Sequence, residues 1–264
     1  MCFKLNSKGE VRMKYEGKIF KTIKYGDLVV TKYINNHNVC VKFINTNYET
    51  TAHICHIRNG LVKDRLFPSL HGVGVVGDAS TTVDGIVLKE CTLWRGVIGR
   101  CYNNEYHIKS PAYVDCSVSE NFKYYPYFKE WCGNQIGFNA VDDKGRPFEL
   151  DKDILIKGNK VYSENTCCFV PAEINGLFIN CAKTCGDLPI GVWFDKQKGK
   201  YQADVSVGRK KRKRLGSFST PEEAFQIYKE AKEAYIKEVA NKWKDQIDPR
   251  AYEALMSYQV ETND

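Results

Sequence analysis

The chain has 264 residues and a formal net charge of +7, with 39 Lys and Arg against 32 Asp and Glu. This length allows one to three small domains, and a clustered basic excess favours a polyanionic partner. No apolar run approaches the roughly 18 residues that a membrane-spanning helix needs, which excludes a membrane partner. The N-terminus lacks the apolar core of a signal peptide, so we expect the eleven cysteines to be reduced thiols in a cytoplasm.

Residues 1–85 mix β-branched and aromatic residues with polar ones, and Asn and Gly separate the runs. The pattern predicts a small antiparallel sheet or barrel, which serves either as a DNA-docking module or as a scaffold without a ligand. His53 and His56 lie three residues apart, but on a strand they would point to opposite faces, so we predict a structural strand there. The predicted strands are residues 18–23, 28–33, 38–44 and 51–57.

Residues 86–187 begin with a predicted amphipathic helix over 88–102, where apolar residues recur at helical spacing. A second helix is predicted over 122–131, provided that Pro126 lies in its first turn. We expect the aromatic residues of this second helix to belong to the core. Residues 142–147 have the composition of a turn, which delivers the chain into a predicted strand over 148–155.

The stretch 150–175 combines acidic and amide side chains with two short apolar runs, and we interpret it as strand, loop, strand and helix. On a strand Asp151 and Asp153 would share one face, so both carboxylates could reach one ion. Pro171 suits the first turn of a helix, which places Asn175 about one turn into it. Carboxylate and amide oxygens suit Mg²⁺ or Mn²⁺ better than Zn²⁺. The alternative interpretation is an acidic surface strand beside an Asn-rich turn.

This order of elements resembles the HNH, or ββα-metal, endonucleases, in the variant found in phage and mobile-element proteins. The resemblance implies that Asp151, Asp153 and Asn175 bind one divalent cation and that Asn165 is the loop Asn, so all four are candidate catalytic residues. The chain departs from the family because no His follows His107, and the usual general base is therefore missing. Three alternatives remain open for the missing base: an Asp takes its place, a distant His takes its place, or the site is inactive.

A cation at this position would bind the scissile phosphate and stabilise the negative charge of the transition state. If Asp151 binds the cation, Asp153 is free to orient the water, and Lys152 is a candidate phosphate contact. Some HNH proteins also carry structural zinc. The candidate zinc ligands do not form a CxxC pair, so Zn²⁺ is the lesser expectation. They are Cys101, His107, Cys116, Cys132, Cys167, Cys168, Cys181 and Cys185.

Residues 188–245 predict three strands, at 192–194, 201–207 and 212–218, followed by a helix. Ser219 or Thr220 would cap the helix, with Pro221 as its first residue. The phrases GVWF, KYQADV, RLGSF and STPEEA resemble the ethylene-response-factor (APETALA-type) DNA-binding domain, whose sheet enters the major groove. The predicted DNA contacts are Trp193, Lys200, Gln202, Asp204, Ser206, Arg209, Arg212 and Arg214.

The faces of that sheet follow from side-chain alternation. Ala203, Val205 and Leu215 are expected to pack on the helix, which leaves Gln202 and the other predicted contacts on the outer face. The basic run 209–214 favours phosphate contacts. A solvated turn and a nuclear-import signal are the alternatives for this run.

Taken together, these patterns predict an α+β protein in four parts. They are an N-terminal β module (1–85), an HNH-like nuclease domain (86–187), an APETALA-type domain (188–245) and a final segment (246–264) that either extends the last helix or forms a short separate one. The leading hypothesis is a site-selective, homing-type endonuclease that hydrolyses double-stranded DNA as a monomer or homodimer, in the host cytoplasm if phage-encoded. The alternative is a catalytically inactive DNA-binding or regulatory protein, and an inhibitor or interaction protein is a third class.

Overall fold

A computed structural model describes residues 15–178, 188–208, 211–262 and 264 of the chain. These residues form an α+β protein with several small sheets, as the sequence predicts. Across the described residues, no helix is both long and apolar enough to cross a membrane. The chain divides into two compact units, the first from Met1–Asn104 and Lys123–Phe128, the second from Glu105–Phe122 and Lys129–Asp264. The four-part division remains a prediction.

The strands are β1 (Ile19–Lys21), β2 (Asp27–Tyr33), β3 (Val39–Phe43), β4 (Glu49–Ala52), β5 (Thr82–Val83), β6 (Ile86–Val87), β7 (Ser117–Val118), β8 (Glu149–Asp151), β9 (Val161–Tyr162), β10 (Cys168–Val170), β11 (Val192–Asp195), β12 (Lys200–Ser206) and β13 (Arg212–Phe218). The helices are α1 (Ile54–Arg58), α2 (Lys89–Tyr102), α3 (Asn104–Lys109), α4 (Glu120–Lys123), α5 (Tyr125–Gly133), α6 (Ala172–Asn175), α7 (Pro221–Trp243) and α8 (Pro249–Met256), with single 3₁₀ turns at Pro111–Tyr113 and Gly176–Phe178.

The first unit contains the predicted antiparallel sheet, with strand order β1-β2-β3-β4. Alternate residues of β2 and β3, including Leu28, Val41 and Phe43, are fully buried or nearly so and form its core. The prediction of a strand over 51–57 is wrong in its second half, because β4 ends at Ala52. His53 then caps α1, its Nδ1 accepting the Cys55 N–H at 3.0 Å, and this local hydrogen bond favours a helix start over a longer strand.

The predicted helix over 88–102 is confirmed as α2, but the predicted helix over 122–131 is two helices, α4 and α5. They separate at Tyr124, whose backbone pairs with Val75 in an isolated β-bridge. Pro126 is the second residue of α5, where its missing N–H breaks no hydrogen bond. Tyr125, Phe128 and Trp131 are buried as expected, but Tyr124 and Tyr127 are exposed, so the expectation of a core position is wrong for Tyr124.

The second unit contains two small sheets that hold the stretch 150–175. β8 pairs with β10 in antiparallel register, and β7 pairs with β9 in parallel register. Phe169 of β10 is fully buried, and its ring lies 5.9 Å from Trp131 and 5.4 Å from Phe138 between centroids. The segment just before β8 is the predicted turn, closed by the Asp142 carboxylate, which accepts the backbone N–H groups of Lys144 and Arg146.

The predicted three strands and helix at the end of the chain are confirmed as β11, β12, β13 and α7. Thr220 caps α7 by accepting the Glu223 N–H, and Pro221 is the first helical residue. Gly191 allows the chain to enter the sheet, since a Cβ there would meet the Tyr228 ring at 2.2 Å. Beyond α7, the residues after 245 form the separate helix α8 rather than an extension of α7.

The Asp142 turn gives the first prediction. The Arg146 side chain, by hydrogen-bonding the carboxylate at 2.7 Å, is the main cause that lowers the pKa of Asp142 from 3.8 to about 2. Because the folded pKa lies below the unfolded one, the stabilisation is complete well above pH 4 and is lost as pH falls towards 2. We expect Asp142→Asn to lower the Tm by a few degrees at pH 7.

Thermal unfolding of both proteins between pH 7 and pH 2 checks this pH dependence. The difference in Tm between wild type and Asp142→Asn should shrink as the pH approaches 2. A difference that stays constant over that range would show that the ionised carboxylate contributes nothing to the turn.

Candidate functional site

The first strand of the candidate site, β8, ends earlier than predicted. Asp151 is its last residue, because the Asp151 Oδ1 atom accepts the N–H groups of Asp153 (2.7 Å) and Ile154 (2.8 Å) and turns the chain. The prediction that Asp151 and Asp153 share a strand face is therefore wrong. Asp153 lies in the bend after the strand and is exposed, whereas Asp151 is partly buried.

The residue that shares a strand face with Asp151 is Glu149, two positions earlier on β8. Its Oε2 atom accepts a hydrogen bond from the Asn175 Nδ2 atom at 2.5 Å. Asn175 is the last residue of α6, a single turn that begins directly after Pro171, the helix cap. The predicted meeting of first strand and helix therefore occurs, but through Glu149.

Lys152 and Asp153 form an ion pair at the end of the strand. Lys152 is buried, and its Nζ atom contacts Asp153 Oδ1 at 2.5 Å and the Asn159 carbonyl at 3.0 Å. The ammonium group also lies 5.7 Å from the centre of the Tyr162 ring. These partners hold Lys152 inside the loop, and Asp153 presents its carboxylate to solvent beside this fixed positive charge.

Asn159 closes the loop between β8 and β9. Its side-chain amide donates to the carbonyls of Lys152 (2.8 Å) and Val161 (2.7 Å), and its Oδ1 accepts the Val161 N–H. The two ends of the loop are thereby tied to one side chain. Asn165, the residue predicted for the loop position, is exposed in the turn before β10, and its catalytic role stays a prediction.

The available donors are hard oxygen atoms, which fit Mg²⁺ or Mn²⁺. Burial raises the pKa of Asp151, while the backbone N–H groups of Ile154 and Asp153 oppose that rise. A bound cation would favour the ionised form of the same carboxylate. Among the described residues, no three His, Cys, Asp or Glu side chains already form a group able to hold a metal ion. Asp151 and Asn175 line one cleft, so their carboxylate and amide oxygens are the candidate donors.

The outer face of the C-terminal sheet carries a compact polar cluster. The Asp204 carboxylate accepts the Trp193 indole N–H at 3.0 Å and the Arg214 Nε–H at 3.2 Å. The Arg214 guanidinium lies 5.4 Å from the Trp193 ring centre. Because register pairs Asp204 with Arg214 and Ser206 with Arg212, both arginines lie on the predicted outer face.

Gln202 is the exception on that face. It was predicted to be available to DNA, but its side chain is fully buried. Its Oε1 accepts the Ser217 hydroxyl at 2.8 Å, and its Nε2 has no hydrogen-bond partner in the described part of the chain. Lys200, Ser206 and Arg212 are exposed as predicted, and Arg209 lies outside the described residues.

One cleft of about 1540 Å³ joins the two candidate sites within the second unit. One wall contains Asp151, Asp153 and Asn175, and the other contains Trp193 and Asp204. Ser206 and Arg212 extend the second wall. The residues predicted for metal binding and those predicted for DNA contact therefore border the same space.

The final segment of the chain closes one end of the cleft. Lys157, in the loop after β8, contacts Asp264 at 2.6 Å and Glu261 at 3.1 Å, and its ammonium lies 4.9 Å from the Tyr258 ring centre. On the opposite side, Lys229 of α7 donates to the Val260 carbonyl at 3.0 Å. Tyr258, Val260, Glu261 and Asp264 thus connect the loop of the ββα element with α7.

The cysteines among the candidate zinc ligands are buried where the structure describes them. Burial is the main cause that raises the pKa of Cys167 to about 12 and raises that of Cys168 as well. Cys181 and Cys185 lie outside the described residues.

A second prediction follows from this burial. We expect iodoacetamide at pH 8 to label the exposed Cys55 in the native protein and to leave Cys167 and Cys168 unlabelled. With a pKa of about 12, only about one Cys167 thiol in ten thousand is ionised at pH 8, and it is also inaccessible. Peptide mass spectrometry before and after denaturation measures this. Native labelling of Cys167 at the rate of Cys55 would contradict the buried position of Cys167, next to β10.

Sequence reasoning missed Glu149 and Asn159. Two-residue alternation along β8 contained the signal for Glu149, since it lies two residues before Asp151. The Gly158–Asn159 dipeptide is typical of a turn, and it indicated the loop that the hydrogen bonds of Asn159 close. Comparison of the chain with protein-family models, with curated proteins and with solved structures found no match.

Proposed function

We propose that this protein is a metal-dependent DNA endonuclease of HNH type, with an APETALA-type sheet that selects the site. The observation that supports the proposal most strongly is the shared cleft. Asp151 and Asn175 on one wall face the same space as Trp193 and Arg212 on the other. A nucleic acid held by the sheet would pass beside the candidate metal ligands. The buried, reduced cysteines fit a cytoplasmic enzyme.

The C-terminal sheet, which would select the DNA site, and the ββα element, which would cut it, both pack against helix α7. This shared helix supports a joint function of the two elements. Near its N-terminus α7 contributes the buried Ala224 and Tyr228, and near its C-terminus the buried Trp243. The Trp243 indole N–H donates to Glu173 of α6 at 2.8 Å, and Lys242 contacts the same carboxylate at 2.7 Å. A straight helix of this length spans roughly 35 Å. The two sites are therefore held at a fixed spacing.

The roles of the residues follow from their positions. Asp151 and the Asn175 amide oxygen would hold the cation, which supplies charge neutralisation at the phosphate. Asp153, exposed beside the Lys152 ammonium, has a carboxylate oxygen free to accept a hydrogen bond from water in the cleft. Arg212 and Arg214 would bind phosphates or base edges along the outer face.

A specific observation favours a second candidate, a DNA-binding protein without nuclease activity. Residues 108–264 contain no histidine, so no His in the second unit beyond His107 can act as the general base. A nuclease would then need an Asp or a distant His as its base, and Asp153 is a weak base if it also binds the cation. Under this second hypothesis the sheet would bind DNA unchanged.

The nuclease hypothesis predicts metal-dependent cutting that needs both candidate cation ligands. We expect supercoiled DNA to be nicked with Mg²⁺ or Mn²⁺ and to stay intact with EDTA. Asp151→Asn and Asn175→Ala should each reduce the rate by at least roughly 100-fold, because each removes a cation ligand needed in the transition state. Agarose-gel conversion of supercoiled to open-circle DNA measures the rate.

Asp84→Asn is the matched control, because Asp84 is an exposed surface Asp of the first unit. Its rate should equal that of wild type. If the wild type binds DNA but cuts it with neither metal, the second candidate function replaces the first.

The basic face predicts a salt-dependent affinity for duplex DNA. Arg212→Ala should weaken binding and reduce the slope of log affinity against log salt by about 0.9, the value for one phosphate contact. Fluorescence anisotropy between 50 and 300 mM NaCl measures this slope. Arg95→Ala, an exposed position on α2, is the control and should leave the slope unchanged. Equal slopes for wild type and Arg212→Ala would place the DNA elsewhere.

A further inference from the structure

We infer that Glu149 is a positioning residue that aims the Asn175 amide oxygen into the cleft, an inference that rests on the proposed function. Sequence reasoning did not identify Glu149, and it is absent from the described lining of the cleft, to which Asn175 and Asp151 belong. It would therefore act through Asn175, whose Nδ2 atom donates a hydrogen bond to its carboxylate.

The fold brings the two residues together by a short path. Register pairs Glu149 with Val170, the last residue of β10. Pro171 caps α6 immediately afterwards, and one helical turn returns the chain over β8. The Asn175 side chain thus reaches the Glu149 carboxylate rather than that of Asp153, which lies beyond the end of the strand.

The hydrogen bond selects one of the two orientations of the amide. Asn175 has a donor end at Nδ2 and an acceptor end at Oδ1. A carboxylate accepts hydrogen bonds only, so the 2.5 Å contact to Glu149 Oε2 requires the Nδ2 end on that side. The Oδ1 end is then directed away from Glu149 and is available to a cation.

Metal-ligating side chains are commonly fixed by a hydrogen bond from their other polar atom, and loss of that partner lowers metal affinity about 10–100-fold. Glu149 would supply this support. The carboxylate also adds negative charge near the site, so charge and orientation must be separated by experiment. Glu149→Gln does so, because its Oε1 can accept the same N–H without the charge.

The experiment is titration of the full-length protein with Mn²⁺, followed by calorimetry and by the EPR signal of free Mn²⁺. We expect Glu149→Ala to raise the Kd about 10-fold or more and Glu149→Gln to stay within about threefold of wild type. In a double-mutant cycle, adding Glu149→Ala to Asn175→Ala should cause no further loss, because Glu149 acts through Asn175. Circular dichroism and Tm show whether each variant is folded.

The outcomes separate the two proposals. If wild type does not bind Mn²⁺, the metal-dependent function fails and the positioning role fails with it. If wild type binds and Glu149→Ala binds equally well, only the positioning role is overturned. A Glu149→Gln variant as weak as Glu149→Ala would also overturn it, since the carboxylate would then act by its charge.

Discussion

The packing of α7 against α6 is the interaction on which the second unit depends. Glu173 receives hydrogen bonds from both Lys242 and Trp243, and the Trp243 ring packs edge-on against Phe148 at 5.6 Å between centroids. Lys232 adds a bond to the Leu177 carbonyl, just after α6. Since the same helix covers the C-terminal sheet, these few contacts determine where its outer face lies relative to β8. Any function that uses both walls of the cleft depends on this spacing.

Charge distribution bears on the cation that the proposed reaction would need. Asp151 and Asp153 both line the cleft, and their carboxylates would repel a DNA phosphate unless a cation lay between them. The opposite wall has its own constraint. Arg214 is already paired with Asp204 and lies over Trp193, so binding of DNA exchanges internal contacts for phosphate contacts. The affinity of this face is therefore expected to be sensitive to salt.

Hydropathy patterns predicted the parts of the fold that depend on periodicity. They located β11, β12, β13 and α7, because alternation, a capping Thr and a Pro at the first helical position are local signals. The mistakes fall where one side chain ends an element. β4 ends before His53, whose side chain accepts a backbone N–H, and β8 ends at Asp151, whose carboxylate does the same. A hydropathy pattern contains no information about such hydrogen bonds. The burial of Gln202 depends on tertiary packing and cannot be predicted from side-chain alternation along a strand.

The geometry of the candidate site was predicted only in part. The convergence of strand and helix was expected, yet the contact runs through Glu149. The central claim is that Asp151 and the Asn175 amide oxygen share one cation. Crystals soaked in Mn²⁺ and measured at a wavelength where manganese scatters anomalously test it most directly. We expect one anomalous peak in the cleft, within about 2.0–2.4 Å of an Asp151 carboxylate oxygen and of Asn175 Oδ1. A manganese peak bound elsewhere, with these two side chains free of metal, would contradict it.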